Sequence, residues 1–176
     1  AQEKGLVNAR KPDSQDICFV KDGDYAGFLE TVWGVPSKEG EFIYKDGSCL
    51  GRHKGIIHYT IGQRKGLGIS YRHPVFVLGK DPETNVVTLG ENEDLFSDRL
   101  VAEDLNWIAC GSPVTSLSVT AKARYSQREA KAVVHPLSET QALVEFEEKQ
   151  RAITPGQAVV FYDGDVVVGG GTIASK

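Results

Sequence analysis

The sequence predicts a mainly β protein: a small β-rich first domain with one short helix, residues 1–95, then a C-terminal β-barrel, residues 96–176. Three observations carry this. Short alternating runs recur, parted by turn residues at roughly 8–12-residue intervals. A single segment shows helical spacing. An acidic stretch, GENEDLFSDRL, separates a glycine-rich front half from a more regular back half and marks the domain boundary.

The helix lies in DGDYAGFLETVWG. Asp24 suits the N-cap, Tyr25, Phe28, Leu29 and Val32 share one helical face, and Gly34 is a stop. GEFIYKDGS reads as an extended run ending in a Lys-Asp-Gly-Ser turn, and IIHYTIG as a further extended run. PVFVLGKD and NVVTLG flank Pro82-Glu83-Thr84 as a hairpin. Beyond the boundary, LSVTAKARY alternates, AKAVVHPL turns through Ser138-Glu139, and QALVEFEE alternates again. QAVVFYDGDVVVGGGTIA is a hairpin about Asp163-Gly164, a pair that accepts the positive φ such turns need. Five or six strands of this kind suit a small closed barrel.

Composition narrows the function. With 40% apolar and 25% charged residues, the 176-residue chain has the make-up of an ordinary globular protein. No apolar run nears the ~20 residues of a membrane span, and no leader pattern opens the chain. Three scattered cysteines (18, 49 and 110) argue against a disulfide scaffold and for a reducing, cytoplasmic setting. Cys49, in the strand-like GEFIYKDGSCLG, and Cys110, closing LNWIAC, read as small residues facing a core. The four histidines lack metal-ligand spacing, so no metal site is expected. Methionine is absent, even at position 1, so the chain reads as a piece of something longer.

The net charge of −4 is unevenly spread. Residues 47–80 hold no acid but carry Arg52, Lys54, Arg64, Lys65, Arg72 and Lys80; residues 105–128 hold none and carry Lys122, Arg124 and Arg128. The acids gather at 81–104 and 139–148. Basic windows of this size suit either a polyanion partner or a solvated mixed surface, and charge alone does not choose.

Three motifs have chemistry to offer. YTIGQRKGLGI interleaves glycines with Gln63, Arg64 and Lys65, allowing close backbone approach and phosphate donors; it is neither a Walker loop nor G-x-G-x-x-G. Its plain alternative is a tight surface turn. KARYSQ puts Arg124 beside Tyr125 at a strand end, able to grip phosphate and stack a base, or simply to be a strand-end Tyr with a solvated Arg. In TPGQ, Gln157 is a possible contact or merely a strand start. Cys18, in DSQDICFV, could be a small buried hydrophobe, a disulfide partner or a nucleophile. Asp13 and Asp16 would raise its thiol pKa by like-charge repulsion, which favours the hydrophobe.

Taken in order, DSQDICFV, GDYAGFL, GSCLGRHKGIIHYTIGQRKGLGI, NVVTLG, LNWI, KARYSQ and TPGQAVVFYDGDVVVGGGTI make a chain that resembles the C-terminal half of the tRNA-specific 2-thiouridylase family. The resemblance implies central and C-terminal domains, the latter a barrel of translation-factor type. It implies thiolation at C2 of the wobble uridine, position 34, in tRNAs for Lys, Glu and Gln. Cys18 would be the persulfide carrier, loaded by a sulfur-relay donor protein and held on a loop by Asp13, Ser14 and Asp16. Arg124, Tyr125 and Gln157 would contact tRNA, with Gln63, Arg64 and Lys65 as further candidates. ATP with Mg would act in a separate N-terminal ATP-pyrophosphatase domain, since this chain has no S-G-G-x-D-S loop; no cofactor is expected here, and the chain alone should be inactive. Two rival readings are a non-catalytic RNA-binding barrel and a docking module for sulfur-relay partners.

Overall fold

The computed structural model describes residues 20, 23–109, 111 and 113–175. Among the described residues the one α-helix, α1, spans Tyr25–Trp33. The Asp24 side chain accepts from Gly27 N at 3.0 Å, and Gly34 closes the helix in the left-handed region at φ 64°. Its apolar face is not buried as the spacing predicts. Ala26 is its buried residue, whereas Val32 is 62% and Trp33 72% exposed. From the helix, Glu30 Oε1 lies 3.8 Å from His58 Nε2; in the segment after it, Ser37 Oγ lies 2.5 Å from the same nitrogen and donates to Lys54 O at 3.0 Å.

Strands β1 (Gly40–Tyr44), β2 (Cys49–His53), β3 (Phe76–Asp81) and β4 (Val86–Gly90) form an open sheet in the order β2-β1-β4-β3. Both predicted turns, at 45–48 and 82–84, join antiparallel neighbours, and the central β1–β4 pair is parallel. Period-2 alternation turns Phe42 and Tyr44 inward to meet Val77, Val87, Leu89 and Tyr59. IIHYTIG is not a strand. Gly55 (φ 135°) turns the chain into a 3-10 turn at Ile56–His58, and bonds from His58 N to Gly55 O and Tyr59 N to Ile56 O replace ladder bonds.

Strands β5 (Phe96–Trp107), β6 (Leu117–Lys122), β7 (Ala130–Pro136), β8 (Ala142–Arg151), β9 (Ala158–Asp163) and β10 (Val166–Ser175) close into a six-stranded barrel, β10-β5-β8-β7-β6-β9. Its core includes Leu100, Val134, Val144, Ile153, Phe161 and Ile173. The Asp163-Gly164 hairpin forms as predicted. Strand β5 instead falls in the acidic stretch and was hidden by a bulge. Asp104 sits at φ 51°, so inward facing passes from Leu100 and Ala102 to Leu105 and Trp107. The Gly169-Gly170-Gly171 run of β10 lies where a Cβ would meet the carbonyls of Asn106, Val159 and Glu103 at 2.5–2.6 Å. Only glycine lets β10 sit this tightly between β5 and β9.

Sheet and barrel meet in a small apolar cluster, Ile61, Leu95 and Ala152, flanked by Phe76 and Leu78. Ala152 N donates to Leu95 O at 2.9 Å across this contact.

Candidate nucleic-acid interface

Three loops meet at Arg151–Ala152, where the barrel chain leaves β8. Ala152 is buried and sits at φ 55°, so the chain turns sharply there. Arg151 is fixed: its Nε donates to Asn92 Oδ1 at 3.2 Å and its guanidinium lies 5.6 Å from the Phe76 ring centroid.

The first loop is the glycine-rich one. Gly62, at φ 87°, passes so close that an added Cβ would lie 3.2 Å from Ala152 Cβ and 3.4 Å from Arg151 Nη1. Bonds from Gly62 N to Val77 O and from Val77 N to Gln63 O tie the loop to β3. The Gln63 amide is used inside the loop, accepting from Thr60 N at 2.9 Å and donating to Lys65 O at 3.0 Å. It therefore shapes the loop, while Arg64 and Lys65 stand exposed.

The second loop joins β6 to β7 and carries Arg124 and Tyr125. Gln127 docks it: its Nε2 donates to Arg151 O at 2.8 Å and its backbone N to Arg124 O at 3.2 Å. Tyr125 is 70% exposed, with Lys122 Nζ 5.8 Å from its ring centroid. The third is the turn at 154–157. Thr154 Oγ1 donates to Ala152 O at 2.9 Å, Gly156 takes φ 83°, and Ile173 N donates to Gln157 O, leaving the Gln157 side chain exposed.

Among the described residues, Arg64, Lys65, Arg124 and Arg128 have no carboxylate within salt-bridge distance, whereas several other cations are paired, as in Arg99–Glu145 at 3.0 Å and Lys45–Asp94 at 2.7 Å. The corner thus presents unneutralised cations beside an exposed aromatic ring, a combination suited to phosphate and base.

The structure brings Arg124, Tyr125, Gln157, Gln63, Arg64 and Lys65 into loops around one corner. Cys18, Asp13, Ser14 and Asp16 lie outside the described residues, as does Cys110. Cys49 does not face a core as its strand-like setting suggests: it is exposed on edge strand β2, paired with Ile43 across a bulge in the β1–β2 register. Sequence reasoning missed Arg151 and Gln127, the two residues that join the loops. The only signals were a lone Arg ending an acidic strand just before TPGQ and a Gln inside KARYSQ.

Comparison with known proteins places both halves of the chain in known families. Residues 27–91 match the family described as tRNA methyl transferase PRC-barrel domain, and residues 97–173 the one described as aminomethyltransferase beta-barrel domain. The tRNA-specific 2-thiouridylase MnmA of Lachnoclostridium phytofermentans is 53% identical over 98% of this chain. The chain belongs to the tRNA-specific 2-thiouridylase family. Among its other relatives, the tRNA-specific 2-thiouridylase MnmA of Acetivibrio thermocellus is 51% identical over 98% of the chain, and MnmA 1 of Thermoanaerobacter sp. is 52% identical over all of it. The chain spans 48% of each of these relatives, corresponding to their C-terminal half.

Proposed function

We propose that this chain supplies the RNA-gripping and sulfur-carrying half of a tRNA 2-thiouridylase. The supporting observation is the convergence of the Arg64–Lys65 loop, the Arg124–Tyr125 loop and the Gln157 turn on Arg151–Ala152, with unpaired cations facing solvent. On this reading Arg124, Arg64 and Lys65 take backbone phosphates, Tyr125 stacks a base or ribose, and Gln157 hydrogen-bonds the RNA. Gln63 acts on RNA through the loop it holds. The bound RNA is a tRNA for Lys, Glu or Gln, and the target is C2 of uridine 34.

The sulfur chemistry belongs to Cys18. As a persulfide loaded by a sulfur-relay donor protein, its terminal sulfur is far more acidic than a thiol, so Asp13 and Asp16 do not prevent an anionic nucleophile at neutral pH. That sulfur adds to C2 of the uridine as the activated oxygen departs. The thiolate of a cysteine in the N-terminal domain then attacks Cys18 Sγ and breaks the S–S bond, so that the sulfur stays on C2 and the two cysteines are left as a disulfide. ATP with Mg activates that oxygen in an N-terminal ATP-pyrophosphatase domain, and residues 1–95 and 96–176 act as the central and C-terminal domains of a cytoplasmic enzyme. The 176-residue chain alone binds tRNA but neither releases AMP nor thiolates.

In the full-length enzyme Cys18→Ser abolishes thiolation while tRNA affinity stays within about twofold, because a hydroxyl cannot carry a second sulfur. Mass spectrometry of tRNA nucleosides reads the first and filter binding the second. Normal 2-thiouridine from Cys18→Ser would sink the assignment.

A further inference from the structure

Behind the Arg64–Lys65 loop, the chain from residue 64 to 75 wraps a pocket of about 460 Å³ that shares only Arg64 with the proposed RNA-contacting corner. This volume falls within the roughly 300–1,000 Å³ range of small-molecule sites. Arg64, Gly66, Gly68, Ser70, Arg72 and His73 line it, together with the aromatic ring of Tyr71. The two glycines sit at φ 74° and 71°, and Leu67, buried in the sheet core, anchors the loop between them.

The chemistry of this pocket is mainly that of donors, although Asp46 is near: hydrogen bonds from Ser48 lower the pKa of that carboxyl, and Arg72 is close enough to help lower it. Among the described residues, no protein acceptor takes the N–H of Gly66, Gly68, Ser70 or Arg72. Neither Arg64 nor Arg72 has a carboxylate within salt-bridge distance. The nearby acids are occupied: Asp46 accepts from Ser48 N and Oγ at 2.9 and 2.6 Å, and Glu91 meets Lys45 at 3.4 Å, Tyr44 OH at 3.2 Å and His73 Nε2 at 3.5 Å. One wall is aromatic. Tyr71 and His73 stand edge-to-face at 4.9 Å, and the Arg72 guanidinium lies 5.5 Å from the Tyr71 centroid. Two guanidiniums, a hydroxyl and open amides suit a phosphate, while an aromatic wall suits a base.

We propose that this pocket binds one nucleotide unit, its phosphate held by Arg64, Arg72 and the open amides and its base set against Tyr71 and His73. The inference depends on the tRNA-binding reading only for the source of the nucleotide, which is either a residue of an RNA strand or a free mononucleotide. The test is amide NMR on the ¹⁵N-labelled 176-residue protein, titrated separately with uridine 5′-monophosphate, uridine and inorganic phosphate. The monophosphate should shift Gly66, Gly68, Ser70 and Arg72 saturably and bind at least tenfold tighter than uridine. Arg64→Gln with Arg72→Gln should weaken it at least tenfold with the rest of the spectrum unchanged. Should the double variant perturb the fold, Arg64→Gln alone should still weaken the monophosphate measurably. A single-stranded RNA that displaces the monophosphate from these amides identifies the strand as the source; a monophosphate that stays bound alongside saturating RNA identifies a free nucleotide. Unmoved loop amides, equal affinity for uridine and its monophosphate, or wild-type affinity in the variants would each overturn the proposal. An Arg124→Ala protein that binds tRNA as tightly as the unaltered one, with the monophosphate site intact, would count against the tRNA reading alone.

Discussion

The barrel and the sheet domain solve the same problem differently. In the barrel every strand has two hydrogen-bonded neighbours, and its inward side chains pack on one another. The sheet has two open edges, β2 and β3, and long loops of irregular chain, and the helix beside it leaves Val32 and Trp33 exposed. A closed barrel keeps its shape without help, so its connecting loops can carry exposed binding residues at fixed positions. The open sheet depends on buried polar anchors, and it contributes a long loop shaped by internal bonds such as those of Gln63. The candidate interface lies where the two meet, so rigidity comes from one side and an adaptable loop from the other.

That contrast can be broken most severely at barrel closure. Gly170→Val drives a Cβ to 2.5 Å from the Val159 carbonyl, a backbone contact that cannot rotate away. It should cost at least about 3 kcal/mol, seen in urea unfolding as a large fall in midpoint or loss of the folded barrel. Near-normal stability would mean that β10 has room that the structure does not show.

A smaller and pH-dependent effect tests the sheet's polar anchoring. His53 is 2% exposed, packed against Phe42 and Tyr59. Gly55 N donates to its Nδ1 at 3.1 Å, so its Nε2 carries the proton given to Asn85 O at 3.2 Å. Burial lowers its pKa below the ordinary histidine value; the Asn85 carbonyl opposes that shift and Arg52 adds to it. The unfolded chain therefore binds a proton near pH 6.5 that the folded chain resists, so stability falls as pH drops below about 6.5 until folded His53 also protonates. His53→Gln should lower stability at pH 7.5 and flatten its slope between pH 7 and 5.5. An unchanged slope would show that His53 is not the anchor that titrates.

The same contrast explains what the sequence revealed. The helix caps, both sheet hairpins and the Asp163-Gly164 hairpin were legible because each rests on a few neighbouring residues. Strand β5 was not, because one bulge at Asp104 breaks its alternation and its outer face is acidic. IIHYTIG looked extended by composition, yet the glycines at 55 and 62 bend it. The site motifs could be picked out one at a time. Their meeting could not, since Gly62, Gln127 and Arg151 come together only through tertiary packing. The Cys49 reading failed for a similar reason: facing in a strand depends on register, and a bulge in β1–β2 set it.

The central claim is that RNA is gripped at the sheet–barrel corner, and salt-dependent tRNA affinity tests it most directly. For the 176-residue protein, log affinity should fall linearly and steeply with log salt. Arg124→Ala should weaken all tRNAs about equally and reduce the slope by roughly one unit. Arg99→Ala, which removes a cation already paired with Glu145 at 3.0 Å, should change neither. If Arg124→Ala kept both the affinity and the slope of the unaltered protein, the corner would not be where RNA is held.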